Sequence, residues 1–346
     1  MKKKILPFML TLFVFGLCLA GCGKLSLGEP EFDPTQEIPV IIIPLTGDVT
    51  DRLAEVSGLA WYGDTLIILP QYPERFPTKQ GGSLFAIPKD VILAFLDGKS
   101  TDPLRPQVIP FMDASIAESI TDFDGFEAIG FGGETAFLTI EAKTESTMSG
   151  LLVSGKIDPN LSVLQLDVDP IREIQLQADL ANYSDEAILL LEEQLITFYE
   201  ANGANVNPQP VGHVFDLALN PLGGLPFPTI EYRLTDVTAP DEQGRFWGIN
   251  YLFSGDEEKL DPAVDQIAAR YGVGPSHTQS EHVERLVEFQ YTGDGIVLTD
   301  RHPLQLELRA DGNARNWEGI VRLDERGFLL MTDKHPETIL GFVAIP

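Results

Sequence analysis

The chain has 346 residues, with 52 acidic against 24 basic side chains and a formal net charge of −28 at pH 7. A surface this acidic is repelled at long range by nucleic acid and by anionic lipid, so neither is an expected partner. Only two cysteines occur, Cys18 and Cys22. Cys18 falls in a removable leader, which leaves no internal disulfide, thiolate–zinc centre or thiol active site.

The N-terminus reads Met1-Lys2-Lys3-Lys4, then an apolar run from Ile5 to Leu19, then Ala20-Gly21-Cys22. A basic start, a short hydrophobic core and small residues before a cut make a secretory signal over residues 1–21. Pro7 and Gly16 interrupt the run, which is short for a membrane span of about 20 apolar residues. Leu19-Ala20-Gly21-Cys22 resembles the bacterial lipobox, which implies acylation of Cys22, an extracytoplasmic location and a lipid anchor in the membrane. Gly23 after the cysteine favours the outer membrane where there is one. Residues 22–37 have no apolar periodicity and read as a tether, leaving residues 38–346 as one domain, expected to be monomeric.

Beyond the tether the apolar segments are short, separated by Gly, Asp and Pro turns, and all-β. Five of them share one form: a polar residue followed by apolar residues, a turn and a second apolar strand. Their leading residues are Ser57, Glu127, Glu186, Asp236 and Glu318. Fourteen positions after the first four stand Gln71, Glu141, Glu200 and Asn250, and fifteen after Glu318 stands Asp333. In a hairpin turning at its midpoint the first and last of these residues oppose each other, with Cβ atoms about 4.5–5.5 Å apart. The third repeat, in Asp185–Ala201, also has the composition of an amphipathic helix, but the shared spacing favours strands. Short helices are expected over Lys89–Leu96 and Asp261–Tyr271.

Repeats of this length, each a four-stranded unit, predict the blades of a β-propeller. We expect five blades, with six as the alternative. The last repeat has chain for three strands only, and Glu37–Leu45 is expected to supply the fourth, closing the ring and removing exposed edges.

The innermost strand of every blade lines the axis, so Ser57, Glu127, Glu186, Asp236 and Glu318 are expected to converge. Carboxylates 4–6 Å apart repel by about 3–4 kcal/mol per pair at an effective dielectric near 20. They must protonate, pair with bases, stay wet or bind a cation. Calcium, which takes six to eight oxygen ligands in irregular geometry, suits such a ring better than magnesium does. Gln71, Asn250 and Asp333 form a second ring.

This sequence of polar residues resembles the calcium-activated nucleotidases, or apyrases, five-bladed propellers whose inner strands present Ser, Glu, Glu, Ser and Glu to a central calcium. The likeness covers the five hairpins and departs at Asp236. Asn316-Trp317-Glu318-Gly319-Ile320 is the closest local match and is also similar to repeats of phytase-like secreted propellers. The resemblance implies phosphate held by basic residues after the second strand of each blade, where Lys143 and Lys334 stand. Elsewhere those places hold Gln71, Tyr72, Ala201, Asn202 and Tyr251, so most of the cations such chemistry needs are missing. Glu141 or Glu200 is the candidate general base.

The leading functional expectation is therefore a calcium-binding propeller that recognises a small molecule, glycan or protein. The alternative is a calcium-dependent hydrolase of phosphate or carboxyl esters. Trp61, Tyr72, Phe126, Trp247, Tyr251 and Trp317 are candidates for stacking on a ligand or for the core. His277 and His282 lack a standard metal-ligand spacing. Gly-x-Ser-x-Gly and Gly-rich nucleotide loops are absent.

Overall fold

The computed structural model describes residue 33, residues 35–143 and residues 148–346. The leader, Cys22 and most of the tether lie outside the described residues. Among the described residues no helix is long and apolar enough to cross a membrane.

The alternating apolar segments fold into five antiparallel blades. Blade 1 runs Val56–Tyr62, Thr65–Pro70, Gly82–Pro88 and Gln107–Met112 from the axis outward, and blade 2 runs Phe123–Gly132, Thr135–Lys143, Met148–Ile157 and Leu164–Leu166. Their outer strands pair in parallel, Leu164 against Phe111, so the two blades share one sheet. Blade 3 comprises Asp185–Leu190, Gln194–Tyr199, Val211–Asp216 and Pro221–Pro226. The third repeat is thus strand rather than helix. Its side chains alternate between two buried faces, a pattern that a sheet satisfies.

Blade 4 holds Arg233–Val237, Arg245–Leu252 and Val283–Tyr291, with Leu304–Leu306 and Ile296–Leu298 outside them. Blade 5 holds Trp317–Leu323, Gly327–Thr332 and Leu340–Ala344. Its fourth strand comes from the N-terminal side: Ile41–Ile43 pairs antiparallel with Leu340–Phe342, closing the ring as expected. Just before it, Glu37–Ile38 pairs in parallel with Gln305 and Leu306 of blade 4, so one short segment stitches two blades. The helix Lys89–Leu96 forms as read. The blade 4 insertion forms two short helices, Glu257–Leu260 and Gln266–Tyr271, the second capped by the Asp265 carboxylate.

Apolar layers fill the interfaces between neighbouring blades 5, 1, 2, 3 and 4. Val56, Leu59, Leu66 and Ile68 of blade 1 meet Val321, Leu329 and Met331 of blade 5, while Ala187, Ile196 and Phe198 of blade 3 meet Leu234, Val237 and Phe246 of blade 4. Inner strands approach closely enough that a Cβ on Gly319 would stand 2.7 Å from Leu59 Cγ. The seam at Ile43, 1% exposed, is what keeps the ring shut. Ile43→Ala removes buried surface without altering the pairing, and we expect a loss of about 2–4 kcal/mol, read as a lower urea midpoint at unchanged slope.

Candidate functional site

Every innermost strand carries a β-bulge, and that irregularity builds the site. The register with the second strand skips one residue in four blades: Ser57, between Val56 and Gly58; Glu127, between Phe126 and Ala128; Glu186, between Asp185 and Ala187; and Glu318, between Trp317 and Gly319. A bulge re-aims a side chain that the pleat would send elsewhere. Blade 4 skips two residues, Thr235 and Asp236. The bulges also move the partner position. Glu141 pairs with Gly125 rather than with Glu127, and the Gln71, Glu200 and Asp333 amides bond to the Glu55, Ser184 and Asn316 carbonyls. The second ring therefore stands opposite the residue two before the bulge.

This alignment changes the assignment in blade 4. The Ser57 hydroxyl donates to the Phe126 carbonyl of the next blade at 2.6 Å, and the Thr235 hydroxyl donates likewise to the Trp317 carbonyl at 2.7 Å. The Phe126 amide bonds to the Gln71 carbonyl, and the Leu234 amide to that of Glu200. Thr235 is thus the counterpart of Ser57, and Tyr251, paired with Arg233, takes the second-ring place read for Asn250. Asp236 instead staples blades. It accepts from the Val237 amide and from the Ile320 amide of blade 5, each at 2.8 Å, and from that of Leu59 of blade 1. Asn250 is fully buried, donating to the Glu231 and Arg233 carbonyls and accepting from Arg285. The fixed spacing of fourteen concealed the longer blade 4 hairpin. Aligning Arg233-Leu234-Thr235 with Glu55-Val56-Ser57 and Asn316-Trp317-Glu318 would have revealed it.

At the axis these residues line an open cavity of about 310 Å³. Its wall includes Ser57, Gln71, Tyr72, Glu127, Glu141, Glu186, Arg233, Asn316 and Glu318, with Glu55, Asp124, Asp333 and Lys334 among the others. Gln71 donates to Glu127 at 2.9 Å, and Tyr72 donates to the Asp124 carbonyl at 2.8 Å while its ring carries the Arg75 guanidinium 3.8 Å from the centroid. Glu55 accepts from Arg75 and Lys334. Lys143 points to Asn182 at 3.1 Å on the exposed rim. Trp317, Phe126, Trp247 and Tyr251 are buried in the core, and Trp61 donates to the Arg322 carbonyl. Of the aromatic candidates only Tyr72 lines the cavity. His277 is buried against Glu37, on the side where the N-terminal strand joins blade 4.

The residue that sequence reasoning missed is Arg233. Its Nε donates to Glu200, its Nη2 stands 3.3 Å from Glu318 and 3.6 Å from Glu186, and its Nη1 donates to Tyr251 at 3.1 Å and Asn316 at 3.2 Å. One guanidinium thus spans carboxylates of blades 3 and 5. No spacing marks it, because its position in the other blades holds Glu55, Gly125, Ser184 and Asn316.

One arginine does not neutralise the axis. Burial, and then the charges of Glu141 and Glu186, push the Glu127 carboxyl well above its usual range. Burial likewise raises Glu141 to about 8, and Glu186 to about 7 in spite of Arg233. Burial lifts Glu318 well up, again against Arg233. Glu141 Oε1 and Glu186 Oε2 are buried with no hydrogen-bond partner, as is Glu200 Oε2 behind its bond to Arg233.

A five-oxygen calcium cage is not what these side chains form. Ser57 and Asp236 spend their oxygens on the backbone, and among the described residues no three His, Cys, Asp or Glu side chains are gathered as a metal cage. Glu127, Glu141, Glu186 and Glu318 nonetheless line one cavity.

No family model and no curated protein sequence matches the chain. Solved structures similar to it include the catalytic domain of a Coprinopsis cinerea α-L-arabinofuranosidase, at 7% identity and TM-score 0.45, covering 90% of this chain and 98% of that one. An exo-1,5-α-L-arabinanase from a bovine ruminal metagenomic library aligns at 10% identity and TM-score 0.47, covering 89% and 94%. A Cellvibrio cellulosa α-L-arabinanase mutant aligns at 10% and 0.43, covering 88% and 91%. These neighbours replace the resemblance to apyrases and phytase-like propellers, which is withdrawn. The bulge repeated in each blade is what turns the Ser and Glu side chains of this run toward the axis.

The raised carboxyls give the site a pH signature. The unfolded chain releases the Glu141 proton near the ordinary 4.5, and the folded chain holds it to about 8. Stability from this group is therefore complete below about 4.5 and is lost as pH rises through about 8. In chelator, the melting temperature should fall by several degrees between pH 5 and pH 9. Glu141→Gln, which stays neutral, should flatten that fall, and an unchanged slope would count against the assignment.

Proposed function

We propose that the axial mouth is a recognition site for a small hydrophilic ligand, held with the help of a calcium ion at Glu127, Glu141, Glu186 and Glu318. The observation that carries this reading is a polar cavity walled by Glu127, Glu141, Glu186 and Glu318, in which Glu141 Oε1 is buried without a hydrogen-bond partner and Glu186 Oε2 has only the Arg233 guanidinium at 3.6 Å. Orphaned buried acceptors are costly, and a cation, or a ligand O–H or N–H, satisfies them. A divalent ion would let these carboxyls ionise at neutral pH and would offer its free coordination positions to ligand oxygens. The chain's own groups orient what enters: Tyr72 gives one aromatic face, Asn316 and Gln71 offer amides, and Arg233 and Lys334 offer the cations. The lipobox-like leader supports display outside the cytoplasm on a lipid at Cys22.

A second reading is favoured by Glu141, which lines the cavity and keeps its proton to about 8. A neutral carboxyl at working pH is what a general acid requires. Glu200 is fully buried behind Arg233 and Lys143 sits on the rim, so Glu141 alone of the three expected catalytic residues faces the mouth. In this reading it protonates the leaving oxygen of a polar ester or glycoside while water attacks the carbon that oxygen leaves and passes its proton to an ionised carboxylate of the cavity.

Calcium titration followed by thermal unfolding tests the first reading. We expect calcium at millimolar concentration to raise the melting temperature at pH 8 by several degrees, and Glu127→Gln combined with Glu186→Gln to abolish the rise. A melting temperature indifferent to calcium and chelator overturns the cation. A panel of chromogenic glycosides and carboxyl esters tests the second: any turnover should drop about 10²–10⁴-fold in Glu141→Gln, and full activity in that variant removes Glu141 from the chemistry.

A further inference from the structure

A second cavity opens where blade 4 passes into blade 5. It encloses about 460 Å³, with His282, Glu284, Glu307, Leu308 and Arg309 in its wall. It shares the face of the axial mouth, because Val283, next to His282, pairs with Leu252, next to the axial Tyr251. A row of rings joins the two cavities. Asp333 and Lys334 line the axial cavity, and His335 follows them, exposed. The Phe253 ring centroid lies 6.3 Å from that of His335 and 6.2 Å from that of His282. Phe253 and His282 are half-buried, and ring faces at a surface suit a ligand that alternates C–H and O–H groups. His282 Nε2 donates to the Gly312 carbonyl at 3.3 Å, while its Nδ1 is buried with no hydrogen-bond partner. Internal bonding therefore does not account for the position of this ring.

Charge around the second cavity is mostly settled within the chain. Glu284 accepts from Arg315 at 2.8 Å and from the Trp317 indole at 2.7 Å. Glu37, also in the wall, accepts from the Ser276 hydroxyl at 2.7 Å and from the His277 ring at 2.8 Å. Arg309 is held by Asp311. Exposed Glu307 remains in the same wall as Arg309, so an anion and a cation would each meet a like charge. A neutral ligand that donates hydroxyls to Glu307 and accepts from Arg309 meets neither penalty.

We propose that the axial mouth and this second cavity together bind one extended, neutral, hydroxyl-rich chain, an oligosaccharide by its chemistry, laid across Phe253. The inference rests on the mouth being a recognition site and does not depend on a metal there. It extends the ligand from a single small unit to a chain. One unit enters the axial cavity, the following units cross His335, Phe253 and His282, and a distal unit reaches Glu307 and Arg309.

Isothermal titration with neutral oligosaccharides of one to six units in several linkages tests this, beside the matching uronic acids and amino sugars. Folding of each variant is checked by thermal melt. We expect the longest neutral chains to bind about tenfold tighter than their single units. Phe253→Ala and Glu307→Ala should each remove most of that gain and leave binding of the single unit unchanged. Single units that bind with no gain from length overturn the inference and leave the mouth reading standing. Equal losses for short and long chains in both variants also overturn it, since a merely structural effect gives that result. A preference for the charged sugars overturns the neutral assignment. Absence of binding by every sugar overturns the inference, while the calcium and ester measurements above still judge the mouth. Where Phe253→Ala fails to fold, Glu307→Ala decides, since that side chain is exposed. An undiminished gain from length in Glu307→Ala then overturns the proposal.

Discussion

The structure turns on a conflict at the axis: five inner strands converge, and each carries a bulge that directs a polar side chain inward. Three of these side chains are glutamates, Glu127, Glu186 and Glu318, and Glu141 joins them from a second strand. Hydroxyls at Ser57 and Thr235 are spent on carbonyls of the next blade, stapling blade 1 to blade 2 and blade 4 to blade 5. The carboxylates are only partly satisfied, Glu127 by Gln71 and Glu318 by Arg233. Burial and mutual repulsion push their titration upward, Arg233 opposes this at Glu186 and Glu318, and the cavity they line is where they meet solvent.

The rest of the molecule holds this arrangement in place. Apolar layers between blades fix the inner strands at close distance, and Asp236 bonds three backbone amides of blades 4, 5 and 1. Closure by Ile41–Ile43 prevents the ring from relaxing outward, which would let water in and dissipate the electrostatic strain. A propeller can sustain this because strand pairing and the apolar layers between blades hold the ring without help from the axis. The axis needs only to be tolerated, which leaves it available for function.

Much of this was legible along the chain. Apolar alternation and turn residues gave the hairpins, and their recurrence gave the blades. Three spare strands at the C-terminus with one strand-like segment at the N-terminus gave the closure. Ser57, Glu127, Glu186 and Glu318, which line one cavity, could be singled out because a polar residue recurring at the head of an apolar strand is costly unless it faces solvent or a partner. What misled was rigid spacing. In blade 4 the hairpin is longer, so counting fourteen selected Asp236 and Asn250 where Thr235 and Tyr251 stand.

The sequence by itself determined the repeat, the strand content, the closing segment and the excess of acid, since each is a local or periodic property of the chain. Only the tertiary structure decided which acids share one cavity, which are spent on backbone amides and which arginine stands among them. Arg233 belongs to no repeat and has no motif. Its partners come from positions 186, 200, 251, 316 and 318, and only closing the ring brings them within reach of one guanidinium.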